Sequence, residues 1–230
     1  MSGGDAYVVS DRTRVKRKPG RGVYDKEAVH SILDEAFLCH VGYVGKDGQP
    51  FVIPTAYARV GEKLYLHGAA SNYLLKTLKT GAPVCVTVTI MDGLVLARST
   101  FHHSMNYRSV VILGSAEPVT DASEKNAALE AIVEHIVPGR SAEARSPTGP
   151  ELTATSVVSL TLSEVSAKCR SGPPIDDKPD MALPVWAGVL PFDSLAGIGQ
   201  PQPDPLLEPG IDVPPSVAHY TRPSAKQAGK

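Results

Sequence analysis

The residues most able to do chemistry lie between Arg98 and Gly114. Ser104, Asn106, Tyr107, Arg108 and Ser109, with the pair His102-His103, stand between apolar runs at 84–90 and 94–97 on one side and 110–113 on the other. A plain β-sheet needs no such concentration of hydrogen-bonding side chains between two strands. One arginine with neighbouring hydroxyls and an amide suits a phosphate or a planar polar ligand. Alternation along a strand puts Ser104, Asn106 and Arg108 on one face and Met105, Tyr107 and Ser109 on the other. Asn106 and Arg108 are therefore expected to face the ligand, with Tyr107 beside it.

A second such segment is His67-Gly-Ala-Ala-Ser-Asn-Tyr-Leu-Leu-Lys76. Its small residues let backbone approach a ligand closely. Ser71 is expected to cap a helix whose apolar side is Leu74, Leu75 and Leu78. Free amides and the positive dipole end there favour an anion, and Lys76 adds a charge. Other chemistries fare worse. Ser104 and the histidines lack the G-x-S-x-G turn of a hydrolase. His102-His103 lacks the i,i+4 spacing that puts two imidazoles on one helix face, so no metal site is expected, although a haem ligand stays open.

The elements that must carry these residues read mainly as strands. Asp25 caps an amphipathic helix over 26–36. Strands follow at 37–44 and 51–60 around an Asp47-Gly48 turn, the second interrupted by Pro54, which marks an edge, a bulge or a non-strand neighbour. A third strand spans 63–67. Residues 84–90 alternate, Asp92-Gly93 reads as a hairpin turn, and 94–98 returns. Residues 110–116 complete a meander. Asp121 and Glu124 open a helix built on Ala128, Leu129, Ile132, Val133 and Ile136 and ended by Pro138-Gly139. Residues 140–150 read as a polar connection and 155–165 as the closing strand. The expected class is mainly β (α+β): a six- to seven-stranded antiparallel barrel with helices outside it. Three parts are expected: a polar basic arm over 1–22, solvated or docked on a partner, a barrel domain over 23–171, and a Pro/Gly-rich extension over 172–230. In that extension Trp186 is expected to bury itself as an anchor.

Composition narrows the function classes. Charged residues are 20% of 230 and the net charge is −1, so no global field draws nucleic acid or an anionic membrane. No apolar run is long enough for a membrane span and no secretory signal is seen. Cys39, Cys85 and Cys169 form no C-x-x-C pair, which points to reduced thiols and a cytoplasmic protein.

Six ordered pieces carry a resemblance over residues 24–191: His40-Val-Gly-Tyr43, Asp47-Gly-Gln-Pro-Phe-Val-Ile-Pro-Thr55, Leu64-Tyr-Leu-His-Gly68, Asp92-Gly-Leu-Val-Leu-Ala97, Ser104-Met-Asn-Tyr-Arg-Ser-Val110 and Val185-Trp-Ala-Gly-Val-Leu-Pro191. The chain resembles the pyridoxamine 5′-phosphate oxidase-like split-barrel flavoproteins, most of all the nitroimidazole reductase-type branch. The resemblance implies a homodimer with FMN at the interface. Ile53, Pro54 and Thr55 would run along the flavin edge, and His67 and Gly68 would lie beside it, His67 as candidate proton donor. Ser71, Asn72 and Lys76 would hold the phosphate. Ser104, Asn106, Tyr107, Arg108 and Ser109 would form a second wall, with Lys168, Arg170 and Trp186 approaching from the C-terminal side. The expected activity is oxidoreduction of a small organic substrate, with NAD(P)H a candidate donor. A flavin sensor without turnover and a haem-binding split barrel are the alternatives. Residues 219–224 do not reproduce the arginine-rich motif of true pyridoxamine phosphate oxidases, so vitamin B6 oxidation is not expected.

Overall fold

The computed structural model describes residues 5–192 and 212–220. Its elements run β1 (Gly22–Val23), α1 (Lys26–Glu35), β2 (Leu38–Val44), β3 (Pro50–Val60), β4 (Lys63–Ala69), α2 (Tyr73–Leu78), β5 (Pro83–Leu96), β6 (Ser104–Ser115), β7 (Glu117–Pro118), α3 (Ala122–Ile136), α4 (Arg140–Glu143), α5 (Gly149–Ala154), β8 (Thr155–Thr161), β9 (Glu164–Arg170), β10 (Gly188–Pro191) and α6 (Pro215–Ala218). The ten strands form one antiparallel sheet in the order β1-β9-β6-β5-β2-β3-β4-β8-β7, with β10 added to β5. The sheet curls without closing, a split barrel with helices outside it.

Period-two alternation explains the inner face. Val84, Val86 and Val88 of β5, Cys39, Val41 and Tyr43 of β2, and Leu64 and Leu66 of β4 all point inward and are buried. Helix α1 begins where the Asp25 carboxylate accepts from the Ala28 amide at 2.9 Å, and it drives Val29, Ile32 and Leu33 into the same core. Full burial of each such aliphatic side chain contributes roughly 1.5–3 kcal/mol. A second, smaller layer lies on the other face of the sheet, where Ala128 and Ile132 of α3 pack on Ala58, Tyr65 and Val157.

Several expectations change. Ten strands replace six or seven. Asp92-Gly93 is not a hairpin: β5 runs straight through it, and the register with β6 shifts between Met91 and Gly93 as at a bulge. The bulge makes room for β10, since a Cβ on Gly93 would stand 2.7 Å from the Leu190 carbonyl oxygen. The closing strand is two strands, because the chain turns between Thr161 and Glu164. Residues 140–150 carry α4 and the start of α5 rather than an unstructured connection. Pro54 does not break β3; it pairs with His40 on one side, and β4 reaches only Tyr57–Val60 on the other, so its missing N–H costs no ladder bond there.

The described part of the basic arm lies on its own chain. Tyr7 is buried, its amide donates to the Tyr24 carbonyl at 2.8 Å, and its hydroxyl lies 2.9 Å from His30 Nε2 and 3.1 Å from Glu62. Beyond β9, the Asp176 side chain is buried against Arg98, accepting from both its amide and its guanidinium. Trp186 is 68% exposed, so strand pairing by β10 and not tryptophan burial fastens this segment. The lysine-containing tail beyond Tyr220 lies outside the described residues. No described helix is long and apolar enough to cross a membrane.

Candidate functional site

The sheet order separates the expected site residues into two groups. Ile53, Pro54 and Thr55 lie on β3, His67 and Gly68 on β4, and Ser71, Asn72 and Lys76 at the β4–α2 junction. Ser104 to Ser109 lie on β6, and Lys168 and Arg170 on the neighbouring β9. β2 and β5 stand between β3 and β6, so the groups are three strand spacings apart, roughly 14 Å along the sheet. The two groups are therefore not neighbours within the chain.

In the β3–β4 group, residues 50–56 pair with β2 along one edge, while the partner on the other edge begins only at Tyr57. That leaves a stretch of backbone edge open beside the exposed Val52 and Ile53. The helix cap is Asn72, whose side chain accepts from the Leu75 amide, and not Ser71. α2 has six residues, and Lys76 sits in its last turn, so the expected dipole at its start is weak.

In the β6–β9 group the polar side chains largely serve one another. Arg108 donates to Glu35 at the end of α1 and to Asp92 at the bulge, and these two carboxylates push its pKa up. Its guanidinium ties α1 to β5 and β6 and is not free for a ligand. Asn106 is buried, donating to the Gly172 carbonyl at 3.2 Å and accepting from Arg170. Arg170 is also buried and donates to the Gly172 and Pro173 carbonyls, so it holds the turn into the C-terminal extension. Burial and the nearby Arg21 lower its pKa. Ser109 donates to the Lys168 carbonyl at 3.2 Å. Tyr107 lies on the opposite strand face and Ser104 is exposed.

A third feature escaped the sequence reading. A cavity of about 730 Å³ opens between β4, α3 and the α4–α5 region. His67 lies on the same face of β4 as Tyr65, toward α3, opposite Val157 of β8. Its Nδ1 is buried with no hydrogen-bond partner among the described residues, and burial lowers its pKa below the ordinary 6.5. The imidazole is therefore neutral at pH 7. Leu129 and Val133, one helical turn apart on α3, and Leu152 of α5 give the cavity apolar walls. Arg145 and Ser146 supply polar groups between α4 and α5. That rim is held in place: Glu134 accepts from the amides of Gly139 and Ser141 at 2.6 and 2.7 Å. Arg145 makes a two-pronged pair with Glu151, which also completes the capping box of α5 with Thr148. One sequence signal was available. Of the five apolar positions expected on α3, Ala128 and Ile132 are buried and Leu129 and Ile136 pack partly buried against the same cluster, while Val133 is exposed at the cavity.

An open antiparallel sheet with helices on its outside defines a split barrel of the pyridoxamine 5′-phosphate oxidase type. Residues 25–169 match the family model described as pyridoxamine 5′-phosphate oxidase, and the chain belongs to that family. Among solved structures it is similar to the flavocytochrome Anf3 from Azotobacter vinelandii, at 41% identity and TM-score 0.84, over 91% of this chain and 96% of that one. It is also similar to the FAD and haem binding protein from Mycobacterium smegmatis, at 36% identity and TM-score 0.81, over 86% and 96%. A candidate 5-nitroimidazole antibiotic resistance protein from Bacteroides thetaiotaomicron is 26% identical with TM-score 0.55, over 64% and 85%. No curated protein sequence matches the chain.

Proposed function

We propose that this protein is a homodimeric redox protein that binds both a flavin and a haem, and that His67 would hold the haem iron. The observation that carries the reading is the buried, unpartnered Nδ1 of His67 in a cavity of about 730 Å³. An unsatisfied polar atom in an otherwise well-packed protein calls for an explanation, and a neutral imidazole is the commonest metal ligand. Among the described residues no three His, Cys, Asp or Glu side chains converge on a common point. A lone imidazole suits an iron that brings its other ligands in a porphyrin. The volume lies in the range of ligand cavities, and apolar walls with a few polar groups suit a flat amphiphile. Haem supplies one-electron chemistry; the protein's part is to ligate, exclude water and set the potential through burial.

The flavin reading rests on the family and on the two relatives above 35% identity, a flavocytochrome and an FAD and haem binding protein. Between FMN and FAD we favour FAD, because the 36% identical relative is an FAD and haem binding protein. The open backbone edge of Ile53, Pro54 and Thr55 can meet the polar rim of an isoalloxazine ring. The homodimer is proposed on the family alone, because the β6–β9 side chains largely satisfy one another within the chain. Oxidoreduction of a small substrate with NADH or NADPH as donor, in the cytoplasm, completes the reading.

Aerobic purification tests it. A two-band flavin spectrum together with a Soret band is expected, with acid-released flavin running as FAD on chromatography and a dimer mass by light scattering. His67→Ala should remove the Soret band and leave the flavin bands. A Soret band that survives this substitution would move the iron elsewhere.

A further inference from the structure

Resting on the haem reading, we propose that Arg145 and Glu151 form a carboxylate-exchange clamp at the rim of the His67 cavity. Arg145 pairs with Glu151 when the cavity is vacant and transfers to a carboxylate of the occupant when it is filled.

Both residues line the cavity, and their side chains are 68% and 48% exposed, which puts them at its solvent-facing rim. Among the lining residues described, Arg145 is the only permanent cation. An occupant whose body packs on Leu129, Val133 and Leu152 must leave its charged groups toward the rim, because buried carboxylates need partners. The planar guanidinium is matched to a carboxylate in a two-pronged grip. Glu151 shows that grip already in place, with Nη1–Oε2 at 2.8 Å and Nη2–Oε1 at 2.6 Å. An occupant carboxylate would therefore replace an identical chemical group.

Exchange is easy for three reasons. An exposed ion pair contributes little net stability. Arg145 sits in the segment between Glu143 and Gly149 that belongs to neither helix, so its backbone is not locked into a ladder. Glu151 is not stranded when Arg145 leaves, because it keeps the Thr148 amide at 2.7 Å and remains in water. Glu130, the other acid of the lining, adds negative charge on the α3 wall and leaves Arg145 as the counter-charge. The preferred occupant is thus a flat apolar molecule bearing carboxylates, which haem with its two propionates satisfies.

The test titrates protein purified without added haem against haemin and against haemin dimethyl ester, whose carboxylates are blocked, following the Soret band. Arg145→Ala should weaken haemin binding about tenfold, as loss of a charge-assisted hydrogen bond would, and leave the ester unchanged. Glu151→Gln keeps an acceptor for the Thr148 amide, hence the cap, but releases Arg145, so haemin binding should tighten several-fold. Equal haemin affinity in Arg145→Ala and the unaltered protein, or equal weakening for haemin and its ester, would overturn the clamp while a His67-dependent Soret band left the haem reading standing. If the unaltered protein took up neither compound, both would fall.

Discussion

The two faces of β4 treat their side chains in opposite ways. Leu64 and Leu66 point into the barrel and are only 0% and 1% exposed. Tyr65 and His67 point toward α3. Tyr65 reaches the edge of its layer and donates to Glu124 at 2.8 Å, a carboxylate that Lys63 also contacts. His67, two residues on, faces a cavity, and its Nδ1 has no partner among the described residues. The barrel face is therefore finished by packing within the chain, while the α3 face is finished at Tyr65 and left open at His67.

Substitutions along this strand and its neighbours measure the difference, from the largest effect to the smallest. Leu66→Ala should cost about 2–5 kcal/mol in urea unfolding of the haem-free protein, since the closely packed barrel cannot collapse around the lost volume. A loss no greater than that of Val133→Ala, on the cavity wall and 39% exposed, would erase the distinction between the layers. Gly93→Ala should cost roughly 1–3 kcal/mol; the added methyl meets the Leu190 carbonyl, and faster proteolysis around β10 should accompany the loss. Tyr65→Phe should cost about 1 kcal/mol, the value of one satisfied hydroxyl. His67→Leu should cost nothing or stabilise the haem-free protein, because it removes a buried polar atom without a partner. Clear destabilisation there would mean that His67 has a structural role.

Acid sharpens the same contrast. Burial lowers the pKa of His30, His67 and His135 below 6.5. The unfolded chain protonates them first, so their contribution to stability is complete above about pH 6.5 and is lost as pH falls through the lower folded values. Urea midpoints of the haem-free protein should drop below pH 6.5, and His67→Leu should flatten part of that slope.

Much of the barrel was legible because alternation is a local property. Val84, Val86 and Val88 must share a face wherever the strand goes, and Asp25 and Asp121 cap α1 and α3 through their own neighbours. Asp92-Gly93 misled because the same dipeptide serves a tight turn and a bulge. Strand pairing with β6 on one side and β10 on the other decides between them, and both partners are distant in sequence. Ser71 lost the cap to Asn72 by a one-residue shift that depends on where β4 ends. Arg108 was singled out as a ligand contact from its type and face. Glu35, 73 positions away, takes its charge instead.

By itself, then, the amino-acid order determined the strand faces, the helix caps and the family, all of which rest on residues near one another or on ordered motifs. The tertiary structure alone decided that β3 and β6 stand three strands apart, that Arg108 and Arg170 are held by other parts of the chain, and that His67 faces a cavity with no partner for its Nδ1 among the described residues. Whether a polar side chain is satisfied depends on what the fold brings to it from elsewhere, and a lone histidine at a strand end carries no local mark of which outcome it will meet.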